Sequence, residues 1–147
     1  MRKIIAFVIL FVLAFSCMNV FAAPETINPA DAVSNVSGIL TVTNPSTQSI
    51  SSYDRSHNIS GYAAAGAEIS IYSLNNGVYT LLHKNEAPVS FICGASGMFI
   101  SPISLQYGRN DILVRAQIDG KVQYAAKTIT VLSPNLFNLF RGFKLFS

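Results

Sequence analysis

Ser52, Asp54, Ser56 and His57 place two hydroxyls, a carboxylate and an imidazole close together along the chain. These are the residue types of an acyl-transfer relay, in which an acid orients a base that takes the proton of a serine. Adjacency along one loop does not supply that geometry, and the stretch reads as a polar turn between strands. The other histidine, His83, is followed by Lys84 and reads as a strand end in solvent. Asn110, Asp111 and Asp119 carry oxygens that suit calcium, but calcium takes about six to eight of them, so turn roles are expected here. The chain has no HExxH, no paired-cysteine motif and no glycine-rich phosphate loop. The expectation is no metal, no cofactor and no catalysis.

Two other groups of residues suit binding. Tyr72, Tyr79 and Tyr124 fall on neighbouring strand-like segments, with Tyr72 alternating against Ile69 and Ile71. On one sheet face they would stack on sugar rings, as in a glycan- or cell-wall-binding module, although tyrosine is also an ordinary strand residue. The second group follows Ser133-Pro134. Leu136, Phe137, Leu139, Phe140, Phe143 and Phe146 form an apolar tail whose only charges are Arg141 and Lys144. The tail is too short to span a bilayer. Its spacing suits a helix lying in a membrane interface or docking on an envelope protein; the alternative is a tail that folds back over an exposed edge of its own sandwich or is a disordered remnant.

The elements that position these residues begin with a leader. Met1-Arg2-Lys3 precedes an apolar run from Ile4 to Phe15, the pattern of an export signal (residues 1–22) with cleavage after Ala22. A second reading takes Leu13-Ala14-Phe15-Ser16-Cys17 as a loose lipobox with Cys17 as the lipid attachment site, and a third leaves the leader uncleaved as an anchor. All three place the protein outside the cytoplasm, in the cell envelope or secreted. Loss of the leader leaves Cys93 alone, so no disulfide staples the fold. The formal charge is +3, but residues 23–132 carry six basic and seven acidic side chains, so a nucleic-acid face is excluded.

Residues 23–37 contain two prolines and no sustained period and read as a linker. From Gly38 to residue 132 the apolar period is two. Asn75-Asn76-Gly77 and Asp119-Gly120 supply hairpin turns, and no capped helical run interrupts the pattern. The expected fold is all-β, an antiparallel sandwich of seven to eight strands, with an extra edge strand within Lys84–Ala95.

Ile59-Ser60-Gly61 followed by Gly66-Ala67-Glu68-Ile69-Ser70-Ile71 resembles the second and third strands of bacterial immunoglobulin-like modules. Gly97-Met98-Phe99, then Leu105, Gly108, Asn110, Ile112, Val114 and Ala116, are similar to their later half, and Asp119-Gly120 with Thr128-Ile129-Thr130-Val131 to their closing hairpin. The nearest subgroup is the accessory modules of surface proteins and glucodextranase-type glycosidases. The resemblance covers residues 39–132. It implies an immunoglobulin-like sandwich with a spacer, adhesion or accessory-binding role and brings no catalytic residues. The chain departs from antibody domains in having no tryptophan and no core disulfide. Asn35-Val36-Ser37 and Asn58-Ile59-Ser60 match the glycosylation acceptor pattern, which in a bacterial protein reads as chance.

Overall fold

The computed structural model describes residues 22–133. Its strands are β1 (Thr26–Ile27), β2 (Leu40–Asn44), β3 (Ser49–Ser52), β4 (Ser56–Ala63), β5 (Glu68–Asn75) and β6 (Val78–Leu81). They continue as β7 (His83–Lys84), β8 (Ala87–Pro88), β9 (Ser90–Ile92), β10 (Met98–Ser104), β11 (Gly108–Ile118) and β12 (Lys121–Val131). A single 3-10 turn, Pro29–Asp31, is the one helical element among the described residues. The large sheet runs β1-β6-β5-β11-β12-β3, and β9 lies end to end with β6 along the same edge of β5. The small sheet runs β10-β4-β2. β7 and β8 form a separate hairpin.

Alternation builds the core. Leu40, Ile59, Phe99 and Ile103 project from the small sheet onto Ile69, Ile71, Ile112, Val114, Ala116, Ile129 and Val131 of the large one. Each of these Leu, Ile, Val and Phe side chains taken from water contributes about 1.5–3 kcal/mol before the entropy of ordering is charged against it. Leu105 closes the same cluster, so Phe99 and Leu105 share the core as their spacing predicts. Both expected hairpins form. Asn76 and Gly77 have φ of 51° and 81°, and Asp119 and Gly120 have 49° and 73°. Paired left-handed residues give a turn whose twist matches that of the strands it joins.

The fold is therefore the all-β immunoglobulin-like sandwich expected. The eight strands correspond to β4, β5, β6, β9, β10, β11, β12 and a first strand divided between β2 and β3. That first strand begins in the small sheet and ends in the large one, crossing at the cis Asn44–Pro45 bond, and β3 lies parallel to β12. At the crossing, β2 bulges against β4 between Val42 and Asn44. The two backbones approach so closely that a Cβ on Gly61 would collide with the Thr41 carbonyl and stand 2.9 Å from Val42 Cα. The edge strand expected within Lys84–Ala95 is β9.

Residues 23–37 differ from the linker expected. β1 pairs with β6, Leu81 N donates to Glu25 O (2.9 Å), and Ile27 is buried. Asn35 Oδ1 accepts from Val122 N (2.7 Å), and Ser34 Oγ accepts from Tyr124 N (2.9 Å). Prolines and the lack of a period rule out a long strand, but not a segment anchored by a few backbone and side-chain hydrogen bonds.

Candidate functional site

The outward face of the large sheet is where the three tyrosines meet. Register places Tyr72 beside Leu113, Ser70 beside Arg115 and Glu68 beside Gln117, with Tyr124 across from Arg115 on β12. Tyr72, Leu81, Leu113 and Ile27 form a second apolar cluster, against which Ala23, Ala32, Tyr79 and Tyr124 pack. The shared face expected from alternation is real, but the sugar platform is not. Tyr72 is 0% exposed, roofed by the lead-in segment, and Tyr79 and Tyr124 are half-buried. Burial pushes the Tyr72 phenol up to about 12, only partly offset by the nearby Arg115 charge. Its hydroxyl makes no hydrogen bond of good geometry, and the neighbouring Ser70 hydroxyl is shared with Ser90 at 3.0 Å.

Next to Tyr72 the same face holds charge. Arg115 is 7% exposed; its Nη1 lies 3.7 Å from Glu68 Oε2 and its Nη2 donates to Gln117 Oε1. Glu68 Oε1 accepts from Ser90 Oγ at 3.0 Å. Arg115 Nε and Nη1 make no hydrogen bond. A buried ion pair of this kind loses much of its Coulomb gain to desolvation and adds little net stability. Toward the opposite end, Arg109 Nε donates to both oxygens of Asp111 and Thr128 Oγ1 donates to Asp111 Oδ1. The Arg109 hydrogen bonds, helped by Thr128, hold the Asp111 carboxyl below its usual range.

The outward face of the small sheet is different in kind. β2, β4 and β10 contain no Asp, Glu, Lys or Arg. Outward positions of β10 and β4 pair Met98 with Tyr62 and Ile100 with Ser60. Tyr62, Met98 and Ile100 are 52%, 61% and 67% exposed. With Thr43, Ser60 and the edge of Phe99 they line a shallow groove of about 270 Å³. No described strand pairs with the far edge of β10. A neutral, partly aromatic sheet face beside an open strand edge is the feature by which proteins add strands or dock apolar partners.

The other expected residues are distributed as follows. Ser52 Oγ donates to Asp54 O (3.3 Å) and accepts from Asp54 N (3.0 Å), closing a local turn, while His57 Nε2 is buried with no hydrogen-bond partner. The turn thus leaves the serine and the imidazole apart. His83 is bonded locally, with Nδ1 3.1 Å from Leu81 O and Nε2 3.8 Å from Glu25 Oε2; with Lys84, Ser56 and Ser104 it borders a hollow of about 140 Å³. Cys93 is buried, its Sγ 3.8 Å from Met98 O. Asn110 clasps backbone rather than a cation. Its Nδ2 donates to the carbonyls of Gln106, Gly108 and Ile129, and its Oδ1 accepts from Gln106 N. Among the described residues no three acidic, histidine or cysteine side chains converge on a metal position. Cys17 and the tail residues Leu136, Phe137, Leu139, Phe140, Arg141, Phe143, Lys144 and Phe146 lie outside the described residues. Tyr62, Met98 and Ile100 were not singled out by sequence, although period two sets them opposite the buried Ile59, Phe99 and Ile103.

Compared with known proteins, the chain matches no family model, no curated protein and no solved structure.

Proposed function

We propose that this protein is an exported, non-catalytic immunoglobulin-like module that binds another protein of the bacterial envelope through the outward face of its small sheet. The observation that carries the reading is the exposed Tyr62, Met98 and Ile100 on a sheet with no charged residue. Such a face costs little to desolvate and offers nothing to an ionic ligand, so its partner presents a neutral, apolar surface. Residues 1–22, patterned as an export signal, support the envelope location. The glycan-binding alternative loses its supporting observation, because Tyr72 has no exposed surface.

The test is retention on the organism's own envelope fraction. The full chain is compared with the triple variant Tyr62→Ser, Met98→Ser, Ile100→Ser, at low and high salt and before and after protease treatment of the envelope. Retention is expected to fall on the order of tenfold or more in the variant, to persist in high salt, and to vanish when envelope proteins are digested. Equal retention of the two chains rejects the reading, and retention that survives digestion moves the target to lipid or glycan.

A further inference from the structure

We propose that the open edge of β10 pairs antiparallel with the same edge of a second copy of this chain, in a register that sets Met98 of each copy against Ile100 of the other. The contact goes beyond the partner binding above, which uses the face of the small sheet and not its edge.

The first observation is the direction of the backbone groups. β10 runs antiparallel to β4, with Met98 opposite Tyr62 and Ser104 opposite Ser56. The same register continues past both ends, where Ala63 N donates to Gly97 O and Leu105 N donates to Arg55 O, each at 2.7 Å. Odd-numbered positions of β10 therefore exchange hydrogen bonds with β4. Met98, Ile100, Pro102 and Ser104 turn their backbone groups the other way. No described strand meets them there. Met98 N has only its neighbour Ser96 Oγ at 3.3 Å, Met98 O only the Cys93 thiol at 3.8 Å, and among the described residues Ile100 N and O have no backbone partner.

The second is that the two halves of this edge differ. Pro102 has no N–H, and Pro102, Ile103 and Ser104 face His83 and Lys84 of the β7–β8 hairpin across the hollow described above. A proline and a nearby lysine are common means of blunting an edge. The half from Met98 to Ile100 has neither, and both of those side chains are exposed.

The third is that the open half complements itself. With Met98 against Ile100, Met98 N donates to Ile100 O of the other copy and Ile100 N to Met98 O. The two-fold axis repeats the exchange, giving four hydrogen bonds and leaving each Pro102 outside the ladder. Setting Ile100 against Ile100 puts Met98 opposite Pro102 and leaves the Met98 carbonyl of both copies without a donor. Setting Ile100 against Pro102 brings the prolines inside the ladder and runs the added strand past the β7–β8 hairpin.

The fourth is the face that results. Register across the joint gives a row of Tyr62, Met98, then Ile100 and Ser60 of the other copy, and its two-fold mate. β2, β4 and β10 contain no charged residue, so no like charges meet. An antiparallel self-pair closes at two copies and leaves neither edge open to a third.

Sedimentation of the full chain over a range of concentrations tests this. A ladder so short makes a reversible pair, so the two-chain mass should grow with concentration. Ile100→Pro removes a donor from each copy while leaving the ladder to β4 intact, and should raise the dissociation constant on the order of tenfold or more. Amides of β5 and β11 should exchange alike in the two chains, which separates loss of the contact from loss of the fold. Cysteine pairing reads the register without a proline. An equal mixture of Met98→Cys and Ile100→Cys chains should cross-link under oxidation well above the unaltered chain, because opposed residues stand about 5.5 Å apart. Either chain alone should cross-link on the order of tenfold less, since its cysteines lie on a diagonal of about 7–8 Å. A one-chain mass at every concentration overturns the proposal, as does a two-chain mass that Ile100→Pro leaves unchanged. So does cross-linking by Ile100→Cys alone at the level of the mixture, which sets Ile100 against itself. Tyr62 lies on β4, one strand in from the edge, so Tyr62→Ser should weaken envelope retention and leave the two-chain mass unaltered. The two readings therefore fail separately.

Discussion

On the outward side of the large sheet Tyr72 has no exposed surface, whereas on the outward side of the small sheet Tyr62 is half in water. Both occupy outward positions on strands that alternate cleanly, and both have apolar neighbours in register, Leu113 in one case and Met98 in the other. The difference lies outside the sheets. Residues 23–36 cross the first face and are held there by β1, Ser34 and Asn35, while no described segment crosses the second. Charge follows the same division. The covered face contains the Glu68–Arg115 pair and the Arg109–Asp111 pair, and the uncovered face contains none. Alternation states which residues share a face; only tertiary structure states what lies over it.

The sharpest way to test that contrast is to truncate the same residue type on each side. Tyr72→Ala should destabilise by about 3–5 kcal/mol, since a large buried ring is removed from beneath the lead-in, while Tyr62→Ala should stay within about 0.5 kcal/mol. Chemical denaturation of both variants measures the two losses directly. Similar losses would mean that Tyr62 is also covered. Next in size is Gly61→Ala, at about 1–3 kcal/mol, because the new methyl must displace the Thr41 backbone where β2 bulges. Here the small sheet depends on close backbone approach, and the expected signature is faster exchange of β2 amides with β11 unaffected. Smaller than Gly61→Ala is Tyr72→Phe, which should change stability by less than about 1 kcal/mol at neutral pH because the hydroxyl removed has no good hydrogen bond. Its consequence appears in alkali. The phenol is pushed up to about 12 in the folded chain against an ordinary 10.0. Its contribution is therefore complete below pH 10 and is lost as the pH rises toward 12. Alkaline titration followed at the phenolate absorbance should lose its latest-ionising tyrosine in the variant, while Tyr79, which burial also pushes up, ionises late in both chains.

Much of the fold was legible in the residues. Asn76-Gly77 and Asp119-Gly120 announce their hairpins because few other pairs tolerate positive φ, and the Ile69/Ile71 and Ile112/Val114 alternations identify the core. What was not legible depends on distant partners. β3 carries no strong period, and its place is set by β12, whose Thr128 to Val131 it meets in parallel. The lead-in gains its position from single hydrogen bonds to residues more than eighty positions away, which no local pattern encodes. Tyr72, Tyr79 and Tyr124 were correctly grouped and wrongly exposed for the same reason. Asn110 reads as a residue that turns the chain or caps backbone groups, and it does the second, tying three carbonyls from inside β11; which carbonyls they are, Ile129 on β12 among them, no local pattern states.

The division of the first strand has a mechanical consequence. β3 and β12 run parallel, with Ser49–Ser52 against Thr128–Val131. Of the described strands only β1 and β2 precede β3, and β12 is the last. The chain therefore enters through one of the pair and leaves through the other, at opposite ends of their ladder. A tension that draws those two ends apart pulls β3 and β12 past one another lengthwise. Their ladder is then strained as a set instead of opening one rung at a time, as a hairpin pulled from its two arms does. Once the lead-in and β2 have been peeled away, this short parallel pairing is the clamp that must slip before the core unravels. A domain held at both ends would resist stretching at that seam first.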